Sequence, residues 1–135
     1  MTDIEQEVDQ LFDGYHRDFG NLDLEAFVSY FHLPCMFTTQ VGVFVFTTAA
    51  EVDGFWRPRF DDLKTQDFGH TERSEYSIKV LTDDTAFAST QATRFNKAGK
   101  QMEQRGASFT VRKFDDGWKI VALIHHSPDN FIKMS

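Results

Sequence analysis

His125 and His126 are an adjacent pair of side chains able to move a proton near neutral pH. Neighbours on a strand point to opposite faces, so the two cannot together chelate one metal ion. A metal would need His-x-His spacing or ligands from elsewhere, and no metal is expected. If His125 faces inward, its imidazole could act as general base or as a hydrogen-bond donor. The structural alternative is a histidine tied to other groups at a strand end. Arg94 and Arg105 fall on the same expected face as His125. Two arginines could clamp a carboxylate or a phosphate. The alternative is a cross-strand ion pair with Glu103 on a solvated rim. Phe109 falls on the same expected face and could extend it into an apolar floor. There is no Gly-rich phosphate loop, paired-cysteine motif or serine nucleophile elbow, and no cofactor is expected. His32, just before Pro34, is expected to make a local structural hydrogen bond, whereas His16, His70 and Cys35 suggest no role.

The last third of the chain must position these groups. Residues 85–96, 101–114 and 118–127 read as three long strands joined by tight turns at Ala98-Gly99 and Asp115-Asp116-Gly117. Centring the first turn on Ala98-Gly99 pairs Arg94 with Glu103, Ala92 with Arg105 and Ala88 with Phe109. An opposite-charge pair directly across supports that register. A three-residue loop at Asp115-Asp116-Gly117 pairs Phe114 with Trp118, Phe109 with Leu123 and Ala107 with His125. One face then carries His125, the arginines, Val111 and Val121. The other carries His126, Ile120, Ala122 and Ile124, and a single bulge would exchange the sets beyond it.

Upstream, Ile4, Val8, Leu11, Phe12, Tyr15 and Phe19 recur at helical spacing over residues 3–19, opened by a Thr2–Glu5 capping box and stopped by Gly20. A second helix is expected over about 23–31, ended before Pro34. Strands follow at 35–40 and 43–47. Thr48 and Glu51 open a third helix, in which Pro58 predicts a kink or break. Gly69 reads as part of a polar link, and Tyr76, Ile78 and Val80 alternate as a further strand. Helices followed by antiparallel strands indicate an α+β domain.

At 135 residues the chain has the length of one domain, 1–135. A net charge of −7 without a basic run argues against nucleic-acid binding. Its lone cysteine excludes an internal disulfide. The acidic N-terminus lacks a signal-like apolar segment, and no run is long enough to span a membrane, so no membrane partner and a cytoplasmic location are expected.

The element order resembles the nuclear-transport-factor-2-like (NTF2-like) superfamily, which includes ketosteroid isomerases, scytalone dehydratases and SnoaL-type polyketide cyclases. The residues carrying the resemblance are Phe19-Gly20-Asn21-Leu22-Asp23, the passage from Phe27 to Phe37, and Asp115-Asp116-Gly117-Trp118-Lys119-Ile120. It implies a cone-shaped, mostly antiparallel curved sheet with helices on its concave face, a small-molecule pocket inside, and a homodimer through the outer sheet face. Tyr15, Phe19, Phe37, Trp56 and Phe60 fall where the helices and first strand of that family close the cone. Core packing is the alternative for each and the better account of most, while Trp56 and Tyr15 carry a polar handle that suits ligand contact. Ile120, Ala122, Ile124 and Phe87 would supply that outer face. The isomerase tyrosine and two aspartates match Asp13, Thr39 and Phe109 or Thr110, so steroid isomerisation is not implied. Two functions stay open. One is binding of a small, partly apolar ligand, neutral or anionic, with cofactor-independent isomerase, dehydratase or cyclase chemistry. The other is a non-catalytic ligand-binding or dimerisation module.

Overall fold

The computed structural model describes residues 2–134. Helix α1 (Asp3–Gly20) opens with the expected capping box: the Thr2 hydroxyl accepts from the Glu5 backbone N–H at 3.2 Å. Val8, Leu11, Phe12, Tyr15 and Phe19 form its buried stripe. Helix α2 (Leu24–Val28) is shorter than its periodicity predicts, because Phe31 leaves the helix to begin β1 (Phe31–Thr39). Strand β2 (Gly42–Phe46) returns beside β1, and Thr48 caps α3 (Ala49–Thr65). Contrary to expectation, α3 runs through Pro58 without a break. Pro58 and Gly54, whose carbonyl loses its helical donor, are both exposed. Water can therefore replace the missing N–H.

Strand β3 (Phe68–Thr82) starts earlier than predicted and includes Gly69. A Cβ at Gly69 would lie 2.5 Å from the Asn96 carbonyl oxygen, so glycine permits this close strand approach. Strands β4 (Thr85–Asn96), β5 (Gln101–Phe114) and β6 (Gly117–His126) follow. The six-stranded order is β2-β1-β6-β5-β4-β3, with β1 parallel to β6 and every other pair antiparallel. The result is an α+β fold with helices against a curved, unclosed sheet. Among the described residues no helix is long and apolar enough to cross a membrane.

The β4–β5 pairing follows the expected register, including Arg94–Glu103, Ala92–Arg105 and Ala88–Phe109. The β5–β6 pairing differs at its turn. Phe114 lies opposite Gly117, not Trp118, so the loop contains only Asp115 and Asp116. The register then shifts between Thr110 and Val111, leaving Val121 as the extra residue, and Phe109–Leu123 and Ala107–His125 pair as expected. On the turn side of that bulge the faces exchange. Ile120, expected on the outer face, is buried in the core, while Val121 is half-buried in the bulge and not part of a regular inner row.

The outer face is also partly covered. After a single 3-10 turn (Pro128–Asn130), the C-terminal segment crosses it. The Ile132 and Met134 backbone N–H groups donate to Ser89 Oγ at 3.0 Å and Ser77 Oγ at 2.9 Å. Ser89 and Ser108 are buried beneath this segment. Exposed outward apolar groups lie instead toward the other sheet edge: Met36, Val43, Val45 and Ile124.

Candidate functional site

Between α1, α3 and the inner face of β4–β6 lies a cavity of about 340 Å³, overhung by the β1–β2 turn at Gln40 and Val41. Helical spacing supplies its wall. Tyr15, His16 and Phe19 come from adjoining turns of α1, and Trp56, Arg59 and Leu63 from one stripe of α3. Thr90, Ala92, Ala107 and Phe109 line the sheet side. Phe37 and Phe60, expected on the wall, are not among the lining residues. Phe37 is locked between Phe31, Phe46 and Phe55, and Phe60 between Phe19 and Phe27. Both are essentially inaccessible, because α3 presses the Trp56–Phe60 turn into the helix–sheet core.

His125 lies on the cavity wall, its ring 5.8 Å from that of Trp56 and edge-on to it. It has no hydrogen-bond partner among the described residues. Burial, reinforced by the positive charges of Arg59, Arg105 and Arg94, pushes its pKa down to about 4. The imidazole is therefore neutral at physiological pH, able to accept one hydrogen bond and donate another. His126 also borders the cavity, but its ring is tied up in bonds to Ser108 Oγ and the Ser127 carbonyl, each at 2.8 Å.

Arg94 and Arg105 both line the cavity and both bind Glu103. Arg94 Nη1 donates to Oε1 at 2.7 Å, and Arg105 Nη2 reaches Oε2 at 3.1 Å. Arg94 is the inner member, its side chain 16% exposed, with its guanidinium 4.9 Å from the centre of the Phe19 ring. Arg105 is the outer one, 61% exposed. Desolvation lowers the Arg94 pKa, opposed by the Glu103 hydrogen bond. Tyr15 is buried, and desolvation raises its pKa, so the phenol stays protonated. The Trp56 indole N–H is buried without a partner among the described residues, and so is His16 Nε2. Burial drives the His16 pKa down to about 3.

His16, Arg59, Asp62, Gln66 and the β1–β2 turn at Gln40 and Val41 are among the lining residues that sequence reasoning missed. Arg59 carried a signal in its helical offset, three positions after Trp56. Of the positions matching the isomerase residues, Thr39 and Phe109 line the cavity without a carboxylate, and Asp13 is not among the lining residues. Asp13 pairs with Arg73, and the Thr39 hydroxyl accepts from the Val41 N–H. His32 makes the expected local contact, Nδ1 to the Pro34 carbonyl at 3.0 Å, and stacks on Phe114. Among the described residues no three His, Cys, Asp or Glu side chains form a metal-holding group.

A helix-capped curved sheet around a mixed apolar and polar cavity is the architecture of cone-shaped pocket proteins. Residues 5–128 match the family model described as NTF2-like protein (DUF6841), and the chain belongs to that family. No curated protein matches the sequence. Among solved structures, Aln2 from a Streptomyces species superposes with a TM-score of 0.77 at 13% identity, covering 96% of this chain and 94% of that one. An NTF2-like protein with a cystatin-like fold from Novosphingobium aromaticivorans gives 0.76 at 15% identity, covering 93% and 82%. A putative aromatic ring hydroxylase from the same organism gives 0.70 at 17% identity, covering 99% and 96%. At these identities the likeness is one of fold.

Proposed function

We propose that this protein binds a small, partly apolar molecule in the cone cavity, with the polar end of the ligand at His125. The observation that carries this reading is a neutral histidine, without a side-chain partner among the described residues, on the wall of a 340 Å³ cavity, beside Trp56 and close to arginines. A cavity with an aromatic wall and convergent polar groups suits small-molecule recognition. Tyr15, Phe19, Trp56 and Phe109 are the proposed apolar contacts, with Arg94 and Arg105 shaping the charged end. Binding without chemistry is the reading favoured, because Glu103, the carboxylate on the same face, is held by two arginines and not by His125. Titrating the protein with small aromatic and aliphatic acids, amides and alcohols, followed by tryptophan fluorescence, tests it. Saturable binding weakened by His125→Phe is expected, and no saturable binding of any class would sink it.

The second part of the proposal is a homodimer through the outer sheet face. Val45, Met36 and Ala122 lie in one cross-strand row, and Val43, Thr38 and Ile124 in the next. That uncharged surface can meet a copy of itself about a twofold axis.

A further inference from the structure

Arg59, Arg94 and Arg105 line the cavity against two carboxylates, Asp62 and Glu103. With His125 neutral, one positive charge is left uncompensated. The two oxygens of Glu103 are already divided between Arg94 and Arg105. Arg59 has no carboxylate within ion-pairing distance among the described residues. Asp62, three residues further along α3, likewise forms no ion pair among them, and Arg59 and Asp62 are both exposed residues on the cavity wall.

The Arg59 guanidinium is nevertheless held in place. Its Nη1 donates to the Phe55 carbonyl at 2.6 Å, and its Cζ lies 3.9 Å from the centre of the Phe55 ring. One donor is used in that bond, and the others remain for a ligand. Trp56, one helical turn earlier, presents its ring edge-on to His125. Arg59 and His125 both line the cavity, and the positive charge of Arg59 lies close enough to disfavour protonation of His125.

We infer that Arg59 is the anion-recognising residue of this cavity, and that its ligand is a monoanionic carboxylic acid with an apolar body. This rests on the reading of the cavity as a ligand site. The carboxylate docks on Arg59, with His125 as a neutral hydrogen-bond partner, and the apolar body lies against Tyr15, Trp56 and Phe109. Glu103 acts as an internal carboxylate that keeps Arg94 and Arg105 occupied. The single excess positive charge matches a monoanion better than a dianionic phosphate.

The test compares cinnamate with cinnamamide, two probes of nearly one shape that differ in charge, by isothermal titration. Wild type binds cinnamate more tightly. Arg59→Gln weakens cinnamate by about tenfold or more, the loss of a charge-assisted hydrogen bond, and leaves cinnamamide within about twofold. Arg59→Lys restores part of the loss. Added salt weakens cinnamate alone on the wild-type chain, a readout independent of how any variant folds. Equal weakening of both probes, or an unchanged cinnamate affinity in Arg59→Gln, overturns the role of Arg59 while leaving the cavity a ligand site. Tighter binding of phenyl phosphate than of cinnamate overturns the monoanion class. Uptake of neither probe by wild type overturns the cavity reading, and the role of Arg59 with it.

Discussion

Two histidines tie the stability of this protein to mild acid. An unfolded imidazole titrates near pH 6.5, whereas His125 is pushed down to about 4 and His16 to about 3 in the fold. Between those values the unfolded chain binds more protons, so stability rises with pH. The contribution is complete above about pH 6.5 and is lost as pH falls through the folded values. Thermal melts between about pH 7 and pH 4.5 should show a falling midpoint, and His125→Gln should flatten the slope. A midpoint constant across that range contradicts the assignment. Trp56 offers a second contrast. Its ring packs against Phe27, Phe37 and Phe55, so Trp56→Ala should cost about 3–5 kcal/mol in chemical denaturation. Trp56→Phe keeps a ring and deletes a buried unpaired N–H, whose burial costs about 1–3 kcal/mol. It should cost far less than the alanine change, and equal losses would mean that the N–H is satisfied. At this scale Arg94 and Arg105 were legible because turn chemistry sets the β4–β5 register, whereas His125 falls on the same face because two one-residue differences in β5–β6 cancel. Arg59 was not legible: it is exposed, as a helix arginine reads in sequence, and only the sheet opposite α3 makes that exposed position part of a cavity wall.

The helices were legible from caps and periodicity, and the strands from alternation. What escaped was local. Asp115-Asp116-Gly117 is compatible with either a two-residue or a three-residue loop, and nothing in Ile120-Val121-Ala122 marks a bulge. Two such one-residue differences cancel at Leu123, which is why His125 faces as expected while Ile120 does not. Pro58 was misread because its cost depends on where the released carbonyl faces, a tertiary fact. The helix should still gain from Pro58→Ala, which restores a backbone donor, by about 1–3 kcal/mol in denaturant titration. An unchanged or lower stability would mean that the proline's restriction of the unfolded chain outweighs the lost bond. Gly14→Ala should act the other way. A Cβ there would lie 2.5 Å from the Tyr30 hydroxyl, which itself donates to Asp18 at 2.5 Å. Crowding that contact should destabilise by about 1–3 kcal/mol, read as a lower midpoint in the same titration.

For the whole molecule, the proposed self-association depends on the part of the outer sheet face over β2, β1 and β6, and not on the part covered by the C-terminal segment. Light scattering at micromolar concentration should give a dimer, and Val45→Lys should give a monomer with an unchanged melting profile of its fold. A wild-type monomer would refute the proposed interface. The sheet order carries a separate consequence, for synthesis. Strand β6 is the last to be made, yet it sits between β1 and β5 and joins the two halves of the sheet. Until Gly117–His126 has emerged, a growing chain holds β2-β1 and β5-β4-β3 as separate ribbons, each with an unpaired inner edge. The nascent protein therefore passes through a stage in which the edges of β1 and β5 are open to wrong partners, and one late strand closes both at once.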